Sequence, residues 1–191
     1  MESKILDLKE NGFNNMEIVE NIFLNYSSVY DNDTIYKLKK DISLRLKTDI
    51  INIRLIGSAH LGIKKNDETE TLELVDNPSD YDFAIIDSKV FAFILNDISQ
   101  KNLVTSQNKP IFCEHLSRGK LHLRYIKKPN IISEICTEIE SKNMLKKNVS
   151  ICIYLNEEFF INNLKVYFNN MFDNYYKKYK EIKIKKVKKF K

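Results

Sequence analysis

The chain has 191 residues, of which 43% are hydrophobic and 11% aromatic, enough for one core of ordinary domain size. With 30% charged residues, three prolines and four glycines, a collagen-like or a Pro/Gly-rich disordered chain is excluded. No apolar run approaches the roughly 20 residues of a membrane-spanning helix, and the first residues lack the pattern of a signal peptide. The composition therefore predicts a soluble, cytoplasmic globular protein that does not enter a membrane.

The formal net charge of +5 is distributed unevenly along the chain. Residues 177–191 contain nine lysines and one glutamate and carry +8, which leaves −3 for the rest because the total is +5. Such a lysine run is usually a solvated chain end. The alternative is a nucleic-acid-binding protein that uses this tail, which a steep dependence of binding on salt concentration would reveal.

Two amphipathic helices are predicted ahead of the first strand. Apolar residues recur at steps of three and four from Asn14 to Val29, and again from Asp33 or Thr34 to about Lys47. Both residues at the start of the second helix are types that cap helix N-termini. Residues Ile5 to Leu8 fit one further helical turn. The first 49 residues are therefore expected to be helical.

The rest of the chain alternates short strands with helices. The predicted strands are Ile50 to Ile56, Tyr81 to Ile86, Ile111 to Leu116, Lys120 to Lys127 and Val149 to Leu155. The predicted helices are Lys89 to Ile98, Ile131 to about Met144 and a long aromatic-rich helix that starts near Asn156. The third and fourth strands form a hairpin around Gly119. Between the first two strands lies a polar excursion, in which Thr71 to Val75 fit a brief strand.

This order of elements predicts the fold class and the domain organisation. Helices, two strands, a helix, a hairpin, a helix, a strand and a final helix indicate an α+β fold, with a mixed β-sheet flanked by helices. One domain is expected over residues 1–176. It comprises a helical N-terminal part (1–49), a sheet core (50–155) and a C-terminal helix (156–176), and it is followed by the Lys-rich tail (177–191).

The most informative residues are two acids, Asp80 and Asp82, at the start of an apolar strand. Residues two apart in a strand face the same side, about 7 Å apart along the chain. Two carboxylates at this spacing repel each other, and burial adds to the cost. A hard divalent cation such as Mg²⁺ relieves the conflict, so the pair predicts a metal site. The alternative is a strand edge with solvated carboxylates.

The dipeptide Gly57-Ser58 follows the preceding apolar strand directly. Glycine lacks the Cβ atom that would obstruct a close approach to a phosphate, and backbone amides at a helix start favour an anion. On its own the dipeptide is an ordinary turn at the end of a strand. Together with Asp80 and Asp82 it predicts a site for a nucleoside triphosphate with Mg²⁺.

At these residues the sequence resembles the DNA polymerase beta-like nucleotidyltransferase superfamily. The superfamily pattern is hydrophobic-Gly-Ser, a spacer, and then acidic-hydrophobic-acidic-hydrophobic, which Gly57, Ser58, Asp80 and Asp82 match. Small members of the superfamily are called minimal nucleotidyltransferases. The resemblance implies a nucleotidyltransferase-like fold. It also implies that Gly57 and Ser58 contact the nucleotide phosphates and that Asp80 and Asp82 bind two Mg²⁺ ions.

Active relatives carry a third carboxylate on a later strand, beside the first two. At that place the predicted hairpin presents His122 and Arg124, and the nearest acid is Glu114 on the partner strand. The prediction therefore names Asp80, Asp82 and Glu114 as catalytic, with Glu114 acting only if the hairpin turns it toward Asp80.

The three histidines leave alternatives open. His60 follows Gly57-Ser58 closely and would either face a bound phosphate or be a capping or surface histidine. His115 and His122 lie on adjacent strands of the predicted hairpin and are expected to pair. Two histidines without a third ligand at suitable spacing do not make a zinc site, so this pair is expected to be structural.

The resemblance implies transfer of a nucleoside monophosphate from an NTP, with ATP expected, to a hydroxyl of a protein, a small molecule or a nucleic acid. It also suggests a partner protein in a toxin-antitoxin or phage-defence setting. The missing third acid raises an alternative. In that reading the chain is a catalytically inactive nucleotidyltransferase-like domain that serves as a binding or regulatory subunit.

Overall fold

The structure is a computed structural model that describes residues 2–25, 33–66, 71–75 and 78–166. Its helices are α1 (Glu2–Glu10), α2 (Asn15–Asn25), α3 (Asp33–Leu46), α4 (Gly57–Leu61), α5 (Ser88–Gln100), α6 (Lys109–Ser117), α7 (Ile131–Lys142) and α8 (described over 157–166). Its strands are β1 (Ile53–Ile56), β2 (Ile63–Asn66), β3 (Thr71–Leu74), β4 (Asp80–Ile86), β5 (Lys120–His122) and β6 (Asn148–Tyr154). Single 3-10 turns span Ile50–Asn52 and Leu123–Tyr125.

Four strands form a mixed sheet in the order β1-β4-β6-β5. The central strands β4 and β6 are parallel, while β1 and β5 run antiparallel to their neighbours at the two edges. Strands β2 and β3 form a separate antiparallel ribbon. The predicted α+β class, with a mixed sheet flanked by helices, is confirmed for the described part of the chain.

One face of the sheet, called the first face, is packed entirely by apolar side chains. Because successive residues of a strand point to opposite sides, every second residue of the central strands reaches this core. The strand residues buried there are Ile53, Leu55, Phe83, Ile85, Leu121, Val149, Ile151 and Ile153. They share the core with apolar residues of α3, α5, α6 and α7. Helix α5 begins at its N-cap Asp87, whose carboxylate accepts hydrogen bonds from the backbone of Lys89 and Val90.

The opposite face, called the second face, is covered by helices over part of its length. Ala84 and Ile86 of β4 and Cys152 and Tyr154 of β6 are buried there, with apolar residues of α1, α2, α4 and α8. The residues that begin these two strands on the same face are polar and only partly covered. The second face therefore combines a packed apolar half with an open polar half.

The predicted hairpin is wrong in its first strand. Residues Lys109–Ser117 form the helix α6, with Pro110 in the first turn, where the missing backbone N–H of proline costs nothing. Phe112 and Leu116, four residues apart, lie on one side of this helix and pack onto the first face. The second strand of the hairpin is short, Lys120–His122, and pairs with β6 instead.

Other element boundaries differ more modestly from the predictions. The strand expected from Ile50 starts at Ile53, after a 3-10 turn, and the turn expected at Ile5 to Leu8 is a full helix, Glu2–Glu10. The brief strand at Thr71 is confirmed and pairs with Ile63–Asn66. Residues 26–29 of the helix predicted from Asn14 to Val29, the end of the C-terminal helix and the tail 177–191 lie outside the described residues. None of the helices in the described ranges is long and apolar enough to cross a membrane.

Candidate functional site

Asp80 and Asp82 lie at the beginning of β4, on the open polar half of the second face. Both side chains are half-buried. The hydroxyl of Ser79 donates a hydrogen bond of 3.0 Å to Oδ1 of Asp80. The strand position predicted from the sequence is therefore present, with the two carboxylates on one side of the sheet.

Gly57 brings the turn after β1 directly against Asp82. Ile56, the last residue of β1, pairs with Asp82 across the antiparallel ladder. Gly57 has a φ of +66°, and a Cβ atom at this position would lie 2.7 Å from Oδ2 of Asp82. Both the left-handed backbone and the space for the carboxylate therefore require glycine. Ser58 follows in α4 and is half-buried.

Ser150 of β6 is a site residue that the sequence analysis missed. Asp82 and Ser150 are partners in the parallel ladder between β4 and β6, and the side chains of the two residues are hydrogen-bonded. A carboxylate can only accept, so the serine hydroxyl donates this bond. Ser150 is a polar residue within an apolar run, and this break in the pattern could have marked it as a candidate site residue. The sequence does not indicate, however, that its strand pairs with the strand of Asp82. The neighbour of Asp82 on the next strand is thus a hydroxyl.

The electrostatics of the pair favour a cation. Burial, together with the nearby Asp80 carboxylate, raises the pKa of Asp82 above its ordinary value, and the hydrogen bond from Ser150 offsets part of this rise. A raised pKa means that the charged form of Asp82 is under-stabilised in the folded protein. A divalent cation held by both carboxylates would remove that penalty.

Glu114 does not lie on a strand of the sheet. It is exposed on α6, and its carboxylate accepts from Arg118, one helical turn later, at 2.8 Å. The catalytic role predicted for Glu114 required a hairpin register that turned it toward Asp80, and that hairpin is absent. Its predicted catalytic role therefore has no geometric support.

His60 is buried instead of facing a ligand or the solvent. Its ring stacks on Phe23 at 4.5 Å between centroids, and Nε2 lies 3.2 Å from the carbonyl oxygen of Ile22. It therefore joins α4 to α2 beneath the site. His115 and His122 do meet, with ring centroids 5.5 Å apart, although His115 comes from a helix and not from a strand.

A groove of about 680 Å³ opens beside Asp80 on the side of β6. Its walls include Asp80 and Ser150, the start of α7, and the segment that follows β5. Two cationic side chains, Arg124 and Lys128, line it together with His122. The sheet order places Gly57 on the other side of β4. In the order of the strands, β4 therefore lies between the Gly57-Ser58 turn and the groove, and Asp80 lines the groove.

The donor set fits one Mg²⁺ ion better than two. The described residues contain no group of three or more histidines, cysteines, aspartates or glutamates that could hold a metal ion. Two carboxylates and a hydroxyl are oxygen donors of the kind Mg²⁺ prefers, and this ion commonly takes its remaining ligands from substrate phosphates and water. A second ion would lack a carboxylate of its own.

Comparisons of the chain with protein-family models, with curated proteins and with solved structures found no match. The site is therefore argued from its own residues.

Proposed function

We propose that the chain binds a nucleoside triphosphate with Mg²⁺ at Gly57, Ser58, Asp80 and Asp82, and transfers its nucleoside monophosphate to a hydroxyl. The hydroxyl oxygen bonds to the α-phosphorus, the bond between the α- and β-phosphates breaks, and pyrophosphate and the hydroxyl proton are released. ATP is the expected nucleotide. The observation that carries the proposal is the contact of Gly57 with Asp82. The turn proposed to contact the phosphates lies directly against an under-stabilised carboxylate. These same residues carry the resemblance to the nucleotidyltransferase superfamily, and that resemblance also supports the proposal.

Each residue has a distinct task in the proposed reaction. Asp80 and Asp82 would hold the ion, and the backbone at Gly57 and Ser58 would contact the phosphate oxygens. When bound, Mg²⁺ supplies charge neutralisation on the phosphates and helps align the attacking hydroxyl. The Ser150 hydroxyl keeps the Asp82 carboxylate oriented on the second face. The acceptor would approach Asp80 from the groove.

Calorimetric titration with Mg·ATP tests the binding step. Asp80→Asn and Asp82→Asn are each expected to weaken binding by at least about tenfold, because one charge-assisted ligand is lost. Asp49→Asn is the matched control, since Asp49 is exposed before the opposite end of β1 and makes no side-chain cap bond. Failure of the parent to bind Mg·ATP, or equal binding by all variants, would refute the proposal.

A second candidate function is a nucleotide-binding or regulatory subunit without transfer activity. The observation that favours it is Ser150, which places a hydroxyl and not an acid on the strand next to Asp82. Incubation with ATP labelled on the α-phosphate separates the two functions, because only transfer leaves label on an acceptor. If transfer occurs, Glu114→Gln is expected to leave its rate unchanged, since the carboxylate of Glu114 is bound by Arg118.

A further inference from the structure

The groove beside Asp80 is positioned to hold a reactant other than the triphosphate. Gly57 and Ser58 lie next to β1, whereas the groove lies past β6, on the other side of the acidic pair. A phosphate that contacts the Gly57-Ser58 turn would lie on the β1 side of β4, away from the groove. The groove reaches Asp80 and Ser150 directly, so a molecule bound in it has access to the Asp80 carboxylate.

Two cations of the groove, Arg124 and Lys128, are available to an anion. Neither Arg124 nor Lys128 forms an ion pair with an acid in the part of the chain that the structure describes. The groove acid Glu140 is already engaged, because its Oε1 accepts from the backbone N–H of Val149 at 2.6 Å. Among the described residues, the groove therefore holds two cations without an ion-pair partner, Arg124 and Lys128, and two acids, Asp80 and Glu140.

The neutral polar groups of the groove are largely committed to the protein. Asn130 caps α7 by exchanging hydrogen bonds with Ser133, and its amide also donates to the carbonyl of Lys127. The Thr137 hydroxyl donates to the carbonyl of Ser133 at 2.9 Å. These bonds shape the wall near Arg124 and Lys128 and leave the two cations as the principal groups for recognition.

His122 supports the same reading. Burial, together with the neighbouring Lys120, His115 and Arg124 charges, lowers its pKa to about 4. The imidazole is therefore neutral near pH 7 and lies in a region of positive potential. An anion bound nearby would raise this pKa, which makes His122 a reporter of occupancy.

We propose that this groove binds the acceptor, and that the acceptor carries a phosphate group which Arg124 and Lys128 contact. The acceptor assignment rests on the proposed nucleotidyl transfer, while the phosphate site stands on the groove itself. A phosphorylated small molecule and a nucleic-acid strand share this chemistry. Guanidinium and ammonium groups are suited to phosphate, and the arginine can bind it with two parallel hydrogen bonds.

The test compares ribose 5-phosphate with ribose by calorimetry on the full chain. Ribose 5-phosphate is expected to bind and ribose to bind at least about tenfold more weakly. Arg124→Gln and Lys128→Gln should each reduce the affinity for ribose 5-phosphate by about three- to tenfold. Lys127→Gln is the matched control, because this lysine is exposed next to Lys128 but does not line the groove. Binding should also raise the pKa of His122 measured by NMR.

A short single-stranded oligoribonucleotide distinguishes the two sources of phosphate. Tighter binding than ribose 5-phosphate, lost in the groove variants relative to Lys127→Gln, indicates a nucleic-acid acceptor. Binding no tighter than that of ribose 5-phosphate indicates a small molecule. Equal affinities for ribose and ribose 5-phosphate, or equal losses in the groove and control variants, would overturn the inference.

The inference and the proposed function fail separately. Asp82→Asn is expected to lose Mg·ATP and to keep ribose 5-phosphate. If the parent binds ribose 5-phosphate through Arg124 but does not bind Mg·ATP, the phosphate site is supported. Its role as the acceptor site is then refuted together with the proposed transfer reaction. If Mg·ATP binds and the groove variants have no effect on ribose 5-phosphate, the groove inference alone is overturned.

Discussion

The two halves of β4 and β6 on the second face are chemically opposite. Toward the ends of these strands, Ala84, Ile86 and Tyr154 are buried beneath the helices α2 and α8. At their beginnings, Asp80 and Asp82 are half-covered, and burial and mutual repulsion disfavour the charge on Asp82. One pair of strands thus carries both a well-packed apolar region and an electrostatically unfavourable polar region.

The difference shows how this fold tolerates its acidic pair. Each buried large apolar side chain contributes about 1.5 to 3 kcal/mol, whereas two nearby carboxylates cost on the order of 1 kcal/mol at intermediate dielectric. The apolar half can therefore hold the strands in register while the polar half stays destabilised. This comparison is tested by variants that remove packing from the apolar half or change the charge repulsion in the polar half.

The largest expected effect is a loss of stability from the apolar half. Phe160 of α8 is fully buried and meets the ring of Tyr154 edge-on at 5.2 Å. Phe160→Ala should lower the free energy of unfolding by about 3 to 5 kcal/mol, because it removes a large side chain and leaves a cavity. Urea unfolding measures the loss. Phe93→Ala, at a ring that is 56% exposed, should cost less than about 0.5 kcal/mol, and equal losses would contradict the packing described.

Gly57→Ala tests the close contact between the turn after β1 and the acidic pair. The new methyl group would meet Oδ2 of Asp82 in a left-handed backbone conformation. We expect a loss of about 1 to 3 kcal/mol in stability, together with loss of Mg·ATP binding.

Gly12 supplies the control for this variant. It also has a positive φ, +84°, but nothing lies within 4 Å of a Cβ built there. Gly12→Ala should show the backbone cost of about 1 to 2 kcal/mol and retain Mg·ATP binding. If Gly57→Ala retained nucleotide binding, the turn would not be part of the nucleotide site.

Ser150→Asp adds a third carboxylate to the polar half and so increases its charge repulsion relative to the packed apolar half. Without metal it should lower the melting temperature, since another like charge costs on the order of 1 kcal/mol. With Mg²⁺ the Ser150→Asp variant should melt at a higher temperature than the parent, because the ion binds the folded state and stabilises it by mass action. Ser150→Ala, which only loses the hydrogen bond to Asp82, is the control. Thermal melts with and without Mg²⁺ measure the reversal, and a variant that melts low in both conditions contradicts it.

The smallest effect is the pH dependence that comes from Asp82. Its folded pKa lies above the ordinary 3.8, so the folded state holds this proton more tightly than the unfolded state does. The contribution of Asp82 to stability is therefore highest below pH 3.8 and falls as pH rises through the raised pKa. Asp82→Asn should remove this fall and be slightly more stable than the parent at pH 7 without Mg²⁺. Urea unfolding from pH 3.5 to 7 checks the sign, and a less stable variant at pH 7 contradicts it.

The regular elements with strong local patterns were predictable. The apolar stripes of α5 and α7 and the apolar runs of β4 and β6 were placed within about two residues. The segment around Phe112 was not, because a short apolar stretch fits either a strand or a helix, and its contact with the first face decided for the helix. Helix α5 begins at Ser88, one residue before its predicted start, because Asp87 caps it and aspartate is a residue type that fills this role.

The candidate site divides in the same way. The sequence by itself determined that Asp80 and Asp82 share a face, because the two-residue period of a strand is local, and that a glycine follows β1 at a turn. Only the tertiary structure decided that Gly57 lies against Asp82, that Ser150 stands beside it and that Arg124 lines the adjoining groove. These relations depend on strand order and register, which are set by packing between residues far apart in the chain and leave no periodic trace in the sequence.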